Sequence, residues 1–334
     1  MASKVDRTNG IILRALNEAG GPCGASRIAC AVSSMGVDVI SERTVRHYLL
    51  RLDRQGLTRL VSRRRGRVLT RAGRAQARDM ESVPGPGAAS ARIDTLAYRM
   101  SYDLARKKGT VILNVSILDE SSLRTVLDEA DLVLNRGFAV AEKIVTAQPG
   151  AVIGSTLVAE GMIGIGTVCS ITLNGILQKH GIPVVSLFAG LLEISRRQCV
   201  RFINMIEYKG STLDPVDVFV RAGMTGVRDV VLRGSGVIPA SFRTIPAAAA
   251  SEVSSIERRT RAAGLGGITA VGRPGQPLFG IPVEQGYCGI VVAAGITPVV
   301  CSMEAGMRVT VQSLAGLEEY SRFITTQQAR RQYL

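Results

Sequence analysis

Charge changes abruptly along this 334-residue chain, and the step divides it into two unlike pieces. Sixteen of its 41 basic residues fall within the first 78 positions, accompanied there by only five acids, so this stretch carries +11 of the net +14. Residues 79–334 are close to neutral and rich in glycine. A small cationic head on a neutral body implies polyanion binding by the first and a separate task for the second. The length suffices for two hydrophobic cores.

Several classes are excluded early. Hydrophobic content of 46% with 20% charged residues describes a globular chain. The opening MASKVDRTNG lacks the apolar core of a secretory signal. The most apolar stretch, Ala151–Ile171, is broken by Glu160 and by glycine, serine and threonine, so it reads as strand, loop and helix in a core and not as a membrane span. The six cysteines form no CxxC pair, and the two histidines, His47 and His180, are far apart. No metal site is expected, and the cysteines read as reduced thiols of a cytoplasmic protein.

Within the head the spacing predicts three helices. The first runs from Arg7 to Ala19, with Ile11, Ile12, Ala15 and Leu16 on one side and Gly20-Gly21-Pro22 as its stop. The second runs from Ala25 to about Met35, turns Ile28, Ala31 and Val32 inward, and ends at Gly36. In the third, Ser41 is a natural N-cap for Glu42–Gln55, closed by Gly56. Val45, Tyr48, Leu49 and Leu52 share one face of that helix; Arg43, His47, Arg51 and Arg54 lie opposite, with Arg46 at the flank. Alternating segments then surround Arg63-Arg64-Arg65-Gly66, which predicts a β-hairpin with a basic tip, and Thr70–Met80 is a closing helix.

Three helices and a basic hairpin make a winged helix-turn-helix over residues 1–80. A helix fits the DNA major groove, and its first two turns reach base edges, so Glu42, Arg43, Thr44, Arg46 and His47 are the candidate readers. Arg63, Arg64, Arg65 and Arg67 of the wing are candidates for phosphates or the minor groove. The head's one aromatic ring, Tyr48, is assigned to the core, which disfavours single-strand and RNA binding, where exposed rings stack on bases. Duplex DNA is the expected partner.

Residues 81–91 (ESVPGPGAASA) are expected to form an irregular linker, and residues 92–328 the larger domain. Strands are expected at Thr110–Leu118, Leu132–Leu134, Ala151–Gly154, Ile163–Val168, Ile182–Phe188, Gly267–Val271, Gly289–Ala293 and Pro298–Cys301, with helices at Ser121–Glu129 and Ser170–His180. The fold class is thus α+β (mixed α/β), a winged helix-turn-helix followed by a larger mixed domain. Gly-Ile-Pro-Val occurs at 181–184 and again at 280–283, a hint of internal duplication too short to establish one.

Four segments resemble the regulatory domain of the NrpR repressors: Gly164–Gly175 (GIGTVCSITLNG), Gly181–Val184, Ile206–Pro215 (IEYKGSTLDP) and Ala240–Pro246 (ASFRTIP). The resemblance covers about residues 92–320, and the head completes the arrangement of these archaeal regulators of nitrogen assimilation. It implies a repressor that binds an operator and releases it when 2-oxoglutarate accumulates. It implies no other cofactor. Some relatives carry two regulatory domains; this chain has one, so it acts either alone as a homodimer or with a second NrpR-type subunit.

A small dianion needs carboxylate partners. Gly164-Ile-Gly-Thr-Val-Cys-Ser opens into the helix at Ser170, where glycines admit close backbone approach and a helix N-terminus favours anions. Thr167, Cys169, Ser170 and Thr172 are the candidate contacts there, or else the turn is an ordinary capped core element. Arg243 is the candidate for the second carboxylate because its fork suits bidentate binding, with Arg233 as the alternative. The apolar stretches near 289–301 are candidates for a dimer surface and equally for interior strands.

Catalysis is not expected. No phosphate-binding loop GxxxxGK[ST] occurs, and Gly164-x-Gly166 lacks the later glycine of a dinucleotide fingerprint. Cys169 at a helix start is a candidate reactive thiol, which leaves a redox-sensing regulator as the alternative. His180 lies at the far end of that helix, about 16 Å away by helical rise, and cannot serve Cys169 as a base. Asp214-Pro-Val-Asp217 reads as a helix cap.

Overall fold

Apolar residues at helical spacing build the head. In the computed structural model, which describes residues 4–34, 40–79, 87–134 and 136–333, α1 (Lys4–Ala19), α2 (Ala25–Ser34) and α3 (Glu42–Arg54) close over one core. Ile12, Leu16, Ile28, Val32, Val45, Leu49 and Leu52 meet there, with Tyr48 half-buried at its edge. β1 (Thr58–Ser62) and β2 (Gly66–Leu69) pair antiparallel, and α4 (Arg71–Asp79) closes the unit. Gly66 has φ 87°, and a Cβ there would lie 2.2 Å from the carbonyl oxygen of Cys23, so only glycine fits where the wing crosses the entry to α2. The end of the second helix expected at Met35 and Gly36 lies outside the described residues, as does Glu81–Pro86 of the expected linker.

The rest of that linker is not irregular. Ala88–Ala91 forms the first turn of α5 (Ala88–Arg99), where alanines carry high helix propensity and Ala89 is buried against the body. The body continues as β3 (Thr110–Asp119), a 3₁₀ turn at Glu120–Ser122, α6 (Leu123–Leu134) and β4 (Val145–Ala147). A small flap of β5 (Val152–Ile153) and β6 (Thr156–Leu157) precedes β7 (Met162–Val168), α7 (Ile171–Lys179) and β8 (Val185–Ser195). Then come β9 (Gln198–Glu207), α8 (Pro215–Arg221), α9 (Val227–Arg233) and β10 (Gly236–Pro246). After a second 3₁₀ turn at Ala247–Ala249 follow α10 (Ala250–Ala262), β11 (Ile268–Val271), β12 (Tyr287–Ala293), α11 (Thr297–Glu304), β13 (Val309–Glu319) and α12 (Thr326–Tyr333).

Two expected strands are helical. Leu132–Leu134 is the end of α6, where Ala130, Val133 and Leu134 continue its buried stripe. Pro298–Cys301 lies in α11, with proline in its first turn and both valines buried. Short apolar runs do not separate buried strand from buried helix, and tertiary packing decided here. The strand expected from Ile182 begins only at Val185, beyond Pro183.

The body is an internal duplication with exchanged strands. The series β3, 3₁₀ turn, α6, β4, β7, α7, β8 recurs as β10, 3₁₀ turn, α10, β11, β12, α11, β13. The sheets have orders β13-β3-β7-β4 and β11-β12-β10-β8-β9, so the last strand of each half completes the sheet of the other. Hydrogen bonds repeat too: Cys169 N–H donates to Ile112 O (2.8 Å), and Ala294 N–H donates to Pro239 O (2.9 Å). Gly164-Ile165, Ile171-Thr172 and Gly181 match Gly289-Ile290, Ile296-Thr297 and Gly306 at one constant spacing. The two Gly-Ile-Pro-Val copies are not in that register: 181–184 follows α7, whereas 280–283 precedes β12.

The head sits on the flap. Leu157 of β6 packs against the head's core, and the guanidinium of Arg27 on α2 lies beside Gly150.

Candidate anion site and nucleic-acid interface

Ser41 fixes the start of α3: its hydroxyl accepts the Thr44 N–H (3.2 Å) and hydrogen-bonds the Thr44 hydroxyl (2.8 Å). From this start Glu42, Arg43, Thr44, Arg46 and His47 are all exposed on the face away from Val45, Leu49 and Leu52. Arg46 is ion-paired with Glu42 one turn back, which holds its guanidinium over the first turn. Arg63, Arg64 and Arg65 project from the wing turn, where Arg65 N–H donates to Ser62 Oγ (3.0 Å).

Arg67 departs from expectation. Its Nε donates to Asp53 Oδ2 (2.7 Å), while Asp53 Oδ1 accepts from the Thr58 hydroxyl (2.6 Å). Its side chain is 16% exposed, so this arginine ties the wing to α3 and does not stand free at the tip.

In the body, the fold brings Arg243 on β10 to the start of α7. Arg243 is fully buried. Nη1 donates to Ser170 O (3.0 Å) and to Asn174 Oδ1; Nη2 donates to Ser170 Oγ (2.9 Å) and Ser241 Oγ (3.0 Å). Its Nε is buried without a partner. Ser170 and Asn174 stand one helical turn apart and so face the same guanidinium. Asn174 is itself held by donating to Ser186 Oγ (3.1 Å).

Every acceptor around this cation is neutral. Among the described residues no carboxylate reaches it; the nearby acidic groups are the Tyr208 phenol and the Cys169 thiol, both pushed up by burial and both uncharged. Burial lowers Arg243 to about 10, which still leaves it protonated at neutral pH. A buried charge without a counter-ion costs several kcal/mol, roughly, in an apolar interior.

Two helix starts meet here. A Cβ on Gly295, just ahead of α11, would lie 1.9 Å from Val168 O and 2.9 Å from Cys169 Cα, so the N-terminus of α11 abuts that of α7. Both ends carry partial positive charge, and the second adds to the field of Arg243. Thr167 Oγ1, three residues before Ser170, is buried without a partner.

Three candidates take other roles. Thr172 is fully buried, and its hydroxyl accepts Ile112 N–H (3.0 Å) and donates to Ile112 O (3.4 Å); it fastens α7 to β3. Cys169 is buried, with its thiol raised to about 12 chiefly by desolvation, although Ile171 N–H points at the sulfur. A thiol so raised is not the reactive thiolate a redox sensor needs. Arg233 is 79% exposed and ion-paired with Asp229 on α9, an ordinary surface pair. The stretch 289–301, sought as a dimer surface, is almost wholly interior.

Sequence reasoning missed Asn174, Ser186, Ser241 and Tyr208. Asn174 lies one turn from Ser170, and an interior polar side chain on so apolar a helix was the available signal. A second charged cluster was read only as a cap. Asp214 Oδ1 does accept Val216 N–H (2.9 Å) with Pro215 at N1, yet Asp217 beside it bonds the Ser313 hydroxyl at the bulge of β13. Burial and then repulsion from Asp217 raise Asp214 to about 7, and burial raises Asp217 as well.

Residues 87–325 match the family of NrpR regulatory domains NRD1 and 2, and residues 11–76 match the winged-helix domain of ribonuclease R. The chain is 31% identical over 320 residues to the global nitrogen regulator NrpRI of Methanosarcina mazei, covering 96% of this chain and 98% of that one. It is 26% identical over 310 residues to the global nitrogen regulator NrpR of Methanococcus maripaludis, covering 93% of this chain and 54% of the relative. A crystal structure of a nitrogen repressor-like protein from Methanococcus jannaschii superposes with a TM-score of 0.60 at 24% identity, over 71% of this chain and 98% of that one. A winged-helix head, a regulatory domain matched along its length and a full-length relative together place the chain in the NrpR family of nitrogen regulators.

Proposed function

We propose that this protein is a DNA-binding transcriptional repressor of nitrogen-assimilation genes, released from its operator by 2-oxoglutarate, and that it acts as a homodimer with two heads on an inverted repeat. The observation that carries the effector half of this reading is Arg243: a fully buried guanidinium held only by neutral oxygens, at the start of α7. A carboxylate arriving there replaces neutral acceptors by a charged one, and charge-assisted hydrogen bonds are roughly twice as strong. Ser170 and Thr167 supply further donors, and the orphaned Nε of Arg243 offers one more. The DNA half is supported by the exposed basic face of α3 and the three arginines of the wing turn.

Linkage sets the requirement for release: the effector lowers operator affinity only if it binds better to the arrangement that cannot hold DNA. The β5–β6 flap and the β13 bulge lie between the regulatory core and the head, and Leu157 on that flap packs against the head. Calorimetry of the full chain with 2-oxoglutarate, glutamate and glutamine tests the reading, paired with operator gel-shift titrations. Saturable binding of 2-oxoglutarate alone, with loss of the shifted band, is the expected result; binding of glutamine in its place would overturn the effector assignment.

A further inference from the structure

Helix α5 is tied to the candidate anion site and to the underside of the head through different residues. On one side it packs on α7, the helix that begins at Ser170. Gly175 permits the approach: a Cβ there would lie 2.2 Å from Met100 Sδ and 2.9 Å from Ala97 O. The first turn of α5 is bonded to the same neighbourhood. Ser90 Oγ donates to Tyr208 O (3.0 Å) and Ala89 N–H donates to Ser211 O (3.3 Å), and the Tyr208 ring lies within electrostatic reach of Arg243.

On its other side α5 holds the β13 bulge. Arg92 donates from Nε (2.9 Å) and Nη2 (2.7 Å) to Leu314 O, and Leu314 has φ 52°, a left-handed conformation uncommon for any residue but glycine. The neighbours of Leu314 are fastened elsewhere. Gln312 Oε1 accepts from the Thr156 hydroxyl (2.9 Å), the Ser313 hydroxyl donates to Asp217, and Ala315 O accepts Ser155 N–H (3.0 Å). The bulge is thus joined to the flap on which the head sits.

The head presents a charged group to the same arginine. Glu18 of α1 accepts from Arg14 Nε at Oε1 (2.9 Å), but its Oε2 is buried without a partner. Arg92 lies within electrostatic reach of Arg14 and Glu18 in the head and of Asp214 in the body. A guanidinium resting on one neutral carbonyl, with an unpartnered carboxylate oxygen in the vicinity, has a second arrangement open to it, because a charge-assisted bond is the stronger one. Two discrete arrangements of one element are what coupling between distant sites requires.

We infer that α5 is the lever between the anion site and the head, and that Arg92 is its switch contact, exchanging Leu314 O for the carboxylate of Glu18 when α7 shifts on effector binding. The inference rests on the effector reading given above and adds the route from that site to the head.

Operator titrations of the full chain with and without saturating 2-oxoglutarate test it, on the parent, Glu18→Gln and Arg92→Lys. Calorimetry of effector binding and hydrogen exchange of α1 accompany them. Both variants should bind 2-oxoglutarate as the parent does, while the effector-induced change in operator affinity shrinks about fivefold or more. Glu18→Gln leaves every bond of the bulge in place, so it decides the matter even if Arg92→Lys folds poorly. In the parent, effector should alter exchange in α1 and in the β13 bulge together; in Glu18→Gln it should alter the bulge alone. A parental effector response in Glu18→Gln would overturn the switch, and so would loss of effector binding in that variant. A parent chain that binds no 2-oxoglutarate overturns the effector reading and the lever with it; binding that leaves α1 exchange unchanged overturns the lever alone.

Discussion

Arg243 grips both the carbonyl and the hydroxyl of Ser170, with Nη1 and Nη2 at 3.0 and 2.9 Å, although the two residues are 73 positions apart. A planar fork makes these bonds, plus those to Asn174 and Ser241, from one side chain. Lysine keeps the charge but has three donors on one nitrogen and cannot span the same acceptors. Arg243→Lys is therefore expected to fold, to lose about 1–3 kcal/mol of stability, and to bind 2-oxoglutarate about tenfold more weakly or worse. Calorimetry with the folded variant checks this; parental affinity would remove Arg243 from the site.

The duplication predicts stoichiometry. Matching the halves through their strand registers puts Ser116 where Arg243 stands, Gly295 at the place of Ser170 and Val299 at that of Asn174. Ser116 Oγ is buried without a partner, and this neutral serine stands where the other half has its guanidinium. The fold offers two equivalent places and the side chains charge only one. Titration of the full chain should give one 2-oxoglutarate per chain; two equal sites would show that the charged set is not what binds.

On the DNA side the wing arginines separate into two roles. Arg64 is exposed at the tip, so Arg64→Ala should weaken binding to all duplexes alike and flatten the log affinity versus log salt slope by about one unit. Arg67 is ion-paired with Asp53, and Arg67→Ala should lower the thermal stability of the head, by about 1–3 kcal/mol, with the salt slope nearly unchanged. Arg43→Ala should relax base preference, losing about 1–3 kcal/mol of discrimination if the guanidinium is bidentate to a base. Fluorescence anisotropy across a salt series resolves all three, and an unchanged slope for Arg64→Ala would contradict the wing assignment.

The head was legible in the sequence because its determinants are local. The Ser41 cap, the buried stripe of α3 and the Arg-Arg-Arg-Gly turn each lie within one element. Arg67 misled because its partner Asp53 is visible only once the wing folds back on α3. In the body, Arg243 and Ser170 were nominated separately by chemistry, and only nonlocal pairing put them together. The exchange of β8 and β13 between halves joins strands far apart in sequence, and no local periodicity encodes it. The duplication was present as Gly-Ile and Ile-Thr pairs at constant spacing, masked by a more conspicuous tetrapeptide repeat in the wrong register.

Asp214 makes stability depend on pH in an unusual direction. Desolvation, then the neighbouring Asp217, raise it from 3.8 to about 7, against the opposing pull of Val216 N–H and Arg92. Between about pH 4 and 7 the folded chain thus binds more protons here than the unfolded chain, so this group's contribution to stability falls as pH rises and is least favourable above 7. Asp217, raised by desolvation, has the same sign. Asn at 214 keeps the acceptor that caps α8 through Val216 N–H but cannot ionise. Asp214→Asn should therefore gain on the parent chain as pH is raised from 5 to 8, seen as a widening difference in urea midpoints. A difference that stays constant across that range would mean the carboxyl does not titrate there, and that Asp217 and the Ser313 contact carry the burial alone.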